Sequence, residues 1–171
     1  ISAFGPPEVL NIVDMPKPAP GSGQVLVRVH AAAINPKDTF IRKGRFRRFT
    51  GQRFPMPTGF DFSGTVVDVG TGVDGTVVGD CVFGMLDGWR GGSCAEYVCV
   101  DTRCLNSKPD GLSHEEAAAM PLVSLTALQA LRDRAGLSPG QHVCINGAAG
   151  GVGSMAVQIT KAMGAVVTAV S

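Results

Sequence analysis

The residues Asn146-Gly147-Ala148-Ala149-Gly150-Gly151-Val152-Gly153 stand between a run that reads as a strand, His142 to Asn146, and one that reads as a helix, from about Val152 to Met163. Glycines at such a junction let the backbone approach a pyrophosphate, whose charge is met by free N–H groups and the positive end of the helix dipole. Ala148, Gly150 and Gly153 fall on the three positions of the dinucleotide fingerprint, with alanine in the first, so Ala148, Ala149, Gly150, Gly151 and Val152 are the expected cofactor contacts. An ordinary turn between strand and helix is the competing reading, and the surrounding strand, loop, helix and strand pattern favours the dinucleotide. The second strand pattern, Ala165 to Val170, ends on Ser171, eighteen residues beyond Gly153. A carboxylate there would bind the ribose 2′-hydroxyl and repel a 2′-phosphate, whereas an uncharged hydroxyl admits NADP(H); a plain strand end is an equal reading of Ser171 taken by itself. The cation that completes recognition of that phosphate is expected beyond Ser171.

Other clusters carry less chemistry. Cys94, Cys99 and Cys104 recur at intervals of five, but within one strand an odd separation sends Cys94 and Cys99 to opposite faces. Buried small hydrophobes are therefore expected in place of a metal site. Arg42, Lys43, Arg45, Arg47, Arg48 and Arg53 put six of the fifteen cations into twelve residues. A solvated loop is the first reading; an anionic partner is the second, with Phe46, Phe49 and Phe54 placed to stack on bases. His30, His114 and His142 are scattered, and structural roles suffice for them.

The elements that must hold these residues change character along the chain. Gly and Pro punctuate the first two-thirds, separating short alternating runs such as Gln24 to His30, Thr65 to Val69 and Ser93 to Val100, the pattern of many short strands and a small irregular β-barrel. Near Ser113 the texture turns helical: Ser113-His114-Glu115-Glu116 is a capping box, Pro121 should break the following stretch in two, and Gly136 should stop it. The strand, helix and strand from His142 to Val170 then form one βαβ unit. The expected division is a domain over residues 1–122 followed by a second beginning at residue 123.

With 171 residues, 44% of them hydrophobic, the chain can bury a real core, and a net charge of +1 gives no general reason to expect nucleic acid or membrane. Ala117 to Leu131 is too polar to span a bilayer. Five cysteines, an odd number, suggest reduced thiols, hence the cytoplasm or an organelle reached by a lost transit segment. The chain opens at Ile1 in an apolar, strand-like segment and stops at Ser171 after another, so both ends are expected to be cuts.

Taken in order, Ala33-Ile34-Asn35-Pro36-Lys37-Asp38-Thr39-Phe40-Ile41-Arg42-Lys43-Gly44, Pro57-Thr58-Gly59-Phe60-Asp61-Phe62-Ser63-Gly64, Val78-Gly79-Asp80-Cys81-Val82, Ala119-Met120-Pro121 with Leu125-Thr126-Ala127, and Gly147 to Gly153 resemble the medium-chain dehydrogenase/reductase superfamily. Within it the match looks closest to quinone reductases and zeta-crystallin. The resemblance covers the whole chain and implies a GroES-like barrel, the substrate and catalytic domain, followed by the truncated start of an NADP-binding Rossmann domain. Where zinc alcohol dehydrogenases carry cysteine this sequence has Asn35, where they carry histidine and glutamate it has Phe60 and Asp61, and their third ligand falls near Leu122. Asparagine, phenylalanine and leucine do not hold a catalytic zinc, and the four-cysteine lobe of those relatives is missing too.

The resemblance therefore implies zinc-independent, NADPH-dependent hydride transfer to a quinone or an α,β-unsaturated carbonyl, whose developing charge spreads over a conjugated oxygen. It places Asn35 beside the nicotinamide, in the catalytic site, and Thr126 against the cofactor; a turn role before Pro36 is the plain alternative for Asn35. Phe40 and Phe46 stand where many relatives carry tyrosine, which leaves the proton donor unassigned. Enoyl-thioester reduction, and a non-catalytic module binding NADPH or nucleic acid, are the competing functions, the last because zeta-crystallin relatives bind single-stranded nucleic acid. A homodimer of the full-length protein is implied, and these residues alone are expected neither to bind NADPH well nor to catalyse.

Overall fold

The computed structural model describes residues 1–171, which divide into two compact units, Ile1–Ala119 and Met120–Ser171. In the first, strands β1 (Gln24–Ala33), β2 (Asp61–Val69), β3 (Cys81–Met85), β4 (Tyr97–Asp101) and β5 (Leu105–Ser107) form one antiparallel sheet in the order β4-β1-β2-β3-β5. Its two outermost strands are consecutive in sequence, joined only by the 3₁₀ turn Thr102–Cys104. The sheet must therefore curl until its edges approach, and an irregular barrel results. Two register shifts in β1, between Leu26 and Val27 and between Val29 and Ala31, supply local bends. Gly84 marks a tight approach: a Cβ there would stand 2.1 Å from the carbonyl oxygen of Cys104.

Alternation in the strands places Val25, Val27, Val66, Val82, Val98 and Val100 inside with Phe60 and Phe62, all buried. Three helices belong to this unit: α1 (Pro36–Arg42), the single turn α2 (Arg47–Thr50), and α3 (His114–Ala118). Ser113 caps α3 as its sequence predicts, accepting from the Glu116 N–H while its own N–H donates to the Glu116 carboxylate.

In the second unit α4 (Pro121–Leu128) begins where Pro121 ends the preceding helix, and its last turns widen into a π-helical segment, Gln129–Arg134, before Gly136 stops it at φ +59°. Strand β6 (His142–Asn146), helix α5 (Gly151–Ala162) and strand β7 (Val166–Val170) form the expected crossover, and the two strands are parallel. Ala127, Leu131, Ile145 and Ala156 are the buried centre of this unit. None of the helices is long and apolar enough to cross a membrane.

Several expectations are corrected. The segment opening at Ile1 forms no strand; with Pro6, Pro7, Pro16, Pro18 and Pro20 it lacks the N–H groups a ladder needs, and holds only the 3₁₀ turn Pro7–Val9. The strand expected from Ser93 begins at Tyr97, so Cys94 lies outside it and the opposite-face argument fails. Cys94 is exposed, while Cys99 and Cys104 are half-buried and Cys104 packs against the barrel core. The histidines are not all scattered: the rings of His30 and His114 lie 4.4 Å apart. The basic loop is not uniformly solvated, because Arg42 is buried and donates to the Gly5 carbonyl.

Candidate functional site

At the end of β1 the chain turns through Asn35 into α1, whose first residue, Pro36, has no N–H to lose at a position where none would be bonded. Asp38 secures this turn. One of its carboxylate oxygens accepts from the Asn35 N–H at 2.8 Å and the other from the Gly59 N–H at 3.0 Å. The entry to β2 is thereby tied to the exit from β1, a connection the pairing of Ala33 with Asp61 repeats in the sheet. The Asn35 side chain reaches across and donates to the Asp61 carboxylate at 2.8 Å. Asn35, Asp38 and Asp61 are all buried, so the amide is fixed by its partners, and Asn35 is both a turn residue and a member of a charged hydrogen-bonded network.

Lys37 lies on the open side of this network. Its ammonium sits 3.7 Å from the centroid of the Phe60 ring and 5.2 Å from that of Trp89, and donates to the Gly88 carbonyl at 2.8 Å. Loss of solvent pulls its pKa down, against the opposing charges of Asp38, Asp87 and Asp61. An aromatic wall follows: Phe46 and Phe49 pack on Trp89 with ring centroids 4.7 and 5.0 Å away, and Phe40 meets Phe46 edge-on. Phe54 turns instead onto Phe4, so of the three aromatic rings expected to face a base, one is committed to packing on Phe4 and the other two lie on Trp89. Phe49, 64% exposed, keeps an open face. Spacing alone singles out neither Lys37 nor Trp89; the signal available is a cation directly between two residues of the same motif, Asn35 and Asp38.

In the second unit the glycine loop is held from both sides. Gly147 takes φ +71°, so the tight turn falls one residue before Ala148, the position aligned to the first fingerprint glycine. The Ala148 N–H donates to the Val170 carbonyl, which ties the loop to the end of β7 and sets Ser171 beside it. Gly153 is required by contact: a Cβ there would stand 2.1 Å from the Gly147 carbonyl oxygen. Gly150 caps α5 in an extended conformation with no side chain bonded over the helix end. The first amides of α5 have no intrahelical acceptor, and Ala149, Gly150, Gly151 and Val152 are exposed. The Gly150 N–H is spent on the Gly147 carbonyl, so the amides of Gly151 and Val152 at the start of α5 are the donors that fit a pyrophosphate. Thr126 lies on an exposed part of α4 and its hydroxyl donates back to the Leu122 carbonyl at 2.7 Å, which leaves the oxygen able to accept. Asn35 belongs to the first unit; Thr126, Ala148 to Val152 and Ser171 belong to the second. No group of three or more His, Cys, Asp or Glu side chains is arranged to hold a metal ion.

An antiparallel barrel with a buried turn network and a parallel strand–glycine loop–helix unit define a chain of the alcohol dehydrogenase type. Residues 21–110 match the model of the alcohol dehydrogenase GroES-like domain, and the chain belongs to that family, within the medium-chain dehydrogenase/reductase superfamily. Its relatives include a chloroplast envelope quinone oxidoreductase homolog of Arabidopsis thaliana, 38% identical over 94% of this chain and 50% of that protein. The mitochondrial NAD(P)H oxidoreductase RTN4IP1 of Mus musculus is 37% identical over 86% of this chain and 41% of its own length. A 2-methylene-furan-3-one reductase of Solanum lycopersicum is 43% identical over 81% of this chain and 37% of its own. Among solved structures, the quinone oxidoreductase of Coxiella burnetii is 38% identical and superposes with a TM-score of 0.85 over 98% of this chain and 54% of that one. The chain thus spans about half the length of the curated relatives it matches.

Proposed function

We propose that the full-length protein transfers a hydride from NADPH to a quinone or to the β-carbon of an α,β-unsaturated carbonyl, without zinc. The observation that carries this reading is the glycine cradle, where Gly153 stands against the Gly147 carbonyl and the exposed amides of α5 face outward. Ala148, Ala149, Gly150, Gly151 and Val152 would hold the pyrophosphate, Thr126 would accept a hydrogen bond from the cofactor, and Ser171, uncharged, would tolerate the 2′-phosphate. The bound nicotinamide supplies the hydride. The chain's own contribution is to orient the acceptor: Asn35, held by Asp61, would lie beside the reacting ring, and Phe40, Phe46 and Trp89 would exclude water from a flat conjugated substrate. The names of the quinone oxidoreductase and furanone reductase relatives agree with acceptors of that shape. We place the second domain as the start of a Rossmann fold, and the complete protein as a homodimer in a reducing compartment, cytoplasm or organelle.

Initial rates of NADPH and NADH oxidation by the full-length protein, measured with a quinone, an enone and an enoyl thioester, test the proposal. NADPH is expected to outperform NADH, and a quinone or enone to outperform the thioester. Activity abolished by chelators would overturn the metal-free assignment, and tight NADPH binding with no oxidation by any acceptor would replace the enzyme with a binding module.

A further inference from the structure

Reduction of a quinone or enone places an electron pair on the substrate oxygen, and that oxygen needs a proton. Phe40 and Phe46 carry no hydroxyl to give one. Lys37 does carry an acidic N–H, and the fold holds it in a particular place. It is the second residue of α1, one residue after the Pro36 that rigidly follows Asn35. Its ammonium lies over the fully buried Phe60 ring, with Asp61, the acceptor for the Asn35 amide, as the next residue along the chain. An ammonium has three N–H groups. One is spent on the Gly88 carbonyl, and the ring takes the charge at its face without accepting a proton, so a donor remains for a ligand. The wall beside it is apolar and aromatic, Trp89 with Phe46 and Phe49. A flat conjugated ring lying on that wall would present its oxygen to a cation. The lowered pKa of Lys37 makes it a better acid than a solvated lysine.

We propose that Lys37 is the proton donor to the substrate oxygen, an assignment that rests on the hydride-transfer reading above. As the hydride forms the new C–H bond, the conjugated electron pair shifts to oxygen, an Nζ–H bond of Lys37 breaks and an O–H bond forms. The nicotinamide is oxidised, the quinone or enone is reduced, and the neutral amine takes a proton back from water. Asp38, Asp61 and Asp87 are the carboxylates whose charge favours return of that proton.

Two measurements on the full-length protein test this. Turnover of Lys37→Met with a quinone and with an enone is expected to fall about a hundredfold in kcat, the lower end of what a positioned proton donor supplies, with the NADPH dissociation constant unchanged. Binding of 4-nitrophenol, whose phenolate reports itself by absorbance and mimics the developing oxyanion, is the readout independent of turnover. Its ionisation midpoint is expected to fall by roughly one pH unit on binding to the unmodified protein and to Lys37→Arg, and not with Lys37→Met. Lys37→Arg, charged but unable to give up its proton, is expected to keep that shift while losing turnover. Undiminished kcat in either variant, or a phenolate shift retained in Lys37→Met, overturns the role of Lys37 and leaves the reaction standing. An unmodified protein that reduces no quinone or enone overturns the reaction itself.

Discussion

Asp38 is 6% exposed and its two oxygens bond to the backbone N–H groups of Asn35 and Gly59, residues from two different segments. Replacing it with alanine leaves both donors buried without an acceptor, at about 3 kcal/mol in all; the urea midpoint of Asp38→Ala should fall accordingly with an unchanged slope. A second residue-scale consequence concerns acid. His114 packs on His30, its Nδ1 lies 2.7 Å from the Ser63 hydroxyl, and burial, then the charges of His30 and Lys108, hold its pKa below the ordinary histidine value against the pull of Glu115. The native state therefore favours the neutral ring, whereas the unfolded chain takes up the proton near pH about 6.5. Between the lowered native value and that pH the unfolded state binds more protons, so stability is lost as pH falls through this window. The melting temperature should drop on acidification, and His114→Gln should lose part of that slope; equal slopes for both proteins would contradict it. At this scale the sequence exposes Asn35 and the glycine loop because their neighbours form motifs. It does not expose the histidine pair, which stands 84 positions apart in the chain and is brought together only by the fold, nor the place of Trp89, which depends on where two loops meet. Ser171 is legible from its offset beyond the glycine loop: Ser171→Glu should shift the NADPH-to-NADH ratio of kcat/KM by at least about tenfold toward NADH, since the new carboxylate would repel the 2′-phosphate.

Elements announced by local chemistry match their expected bounds closely. His142–Asn146 is the strand expected, and α5 and β7 differ by a residue at their ends, because Gly164 and the glycine loop leave no choice of boundary. Ser113 and Glu116 form their box as written. By contrast, the strand expected from Ser93 starts four residues later, since Gly59 lies so close to Ser93 and Cys94 that their backbone is shaped by that contact and not by a ladder. β5 is three residues long and has too little pattern to be read at all. Gly153 is the element whose removal should tell most. Gly153→Ala drives a methyl into the Gly147 carbonyl, so the loop or the start of α5 must shift, with a loss of NADPH affinity in the full-length protein exceeding tenfold. A crossover that tolerated the methyl with affinity unchanged would show that the cradle is not the phosphate site.

Across the whole molecule, burial is unevenly shared. The first unit closes a barrel around Phe60, Phe62 and six valines, a core long enough to be foreseen from composition and alternation alone. The second contains one parallel pair of strands and the helices α4 and α5. Parallel strands are normally covered on both faces and flanked by further strands, yet Val166 and Val170 of β7 are 48% and 45% exposed. A strand edge of that kind pairs readily with another chain. A dinucleotide, moreover, lies across the crevice between the two halves of a doubly wound sheet, and a single crossover offers the pyrophosphate cradle with little else to grip the nicotinamide half. Expressed alone, these 171 residues should therefore bind NADPH with a dissociation constant well above micromolar and should self-associate in a concentration-dependent way. Calorimetric titration with NADPH, together with sedimentation over a range of concentrations, decides the matter. Micromolar affinity in a monomer would mean that the cradle and Ser171 suffice for the cofactor, and that further strands add nothing to its recognition.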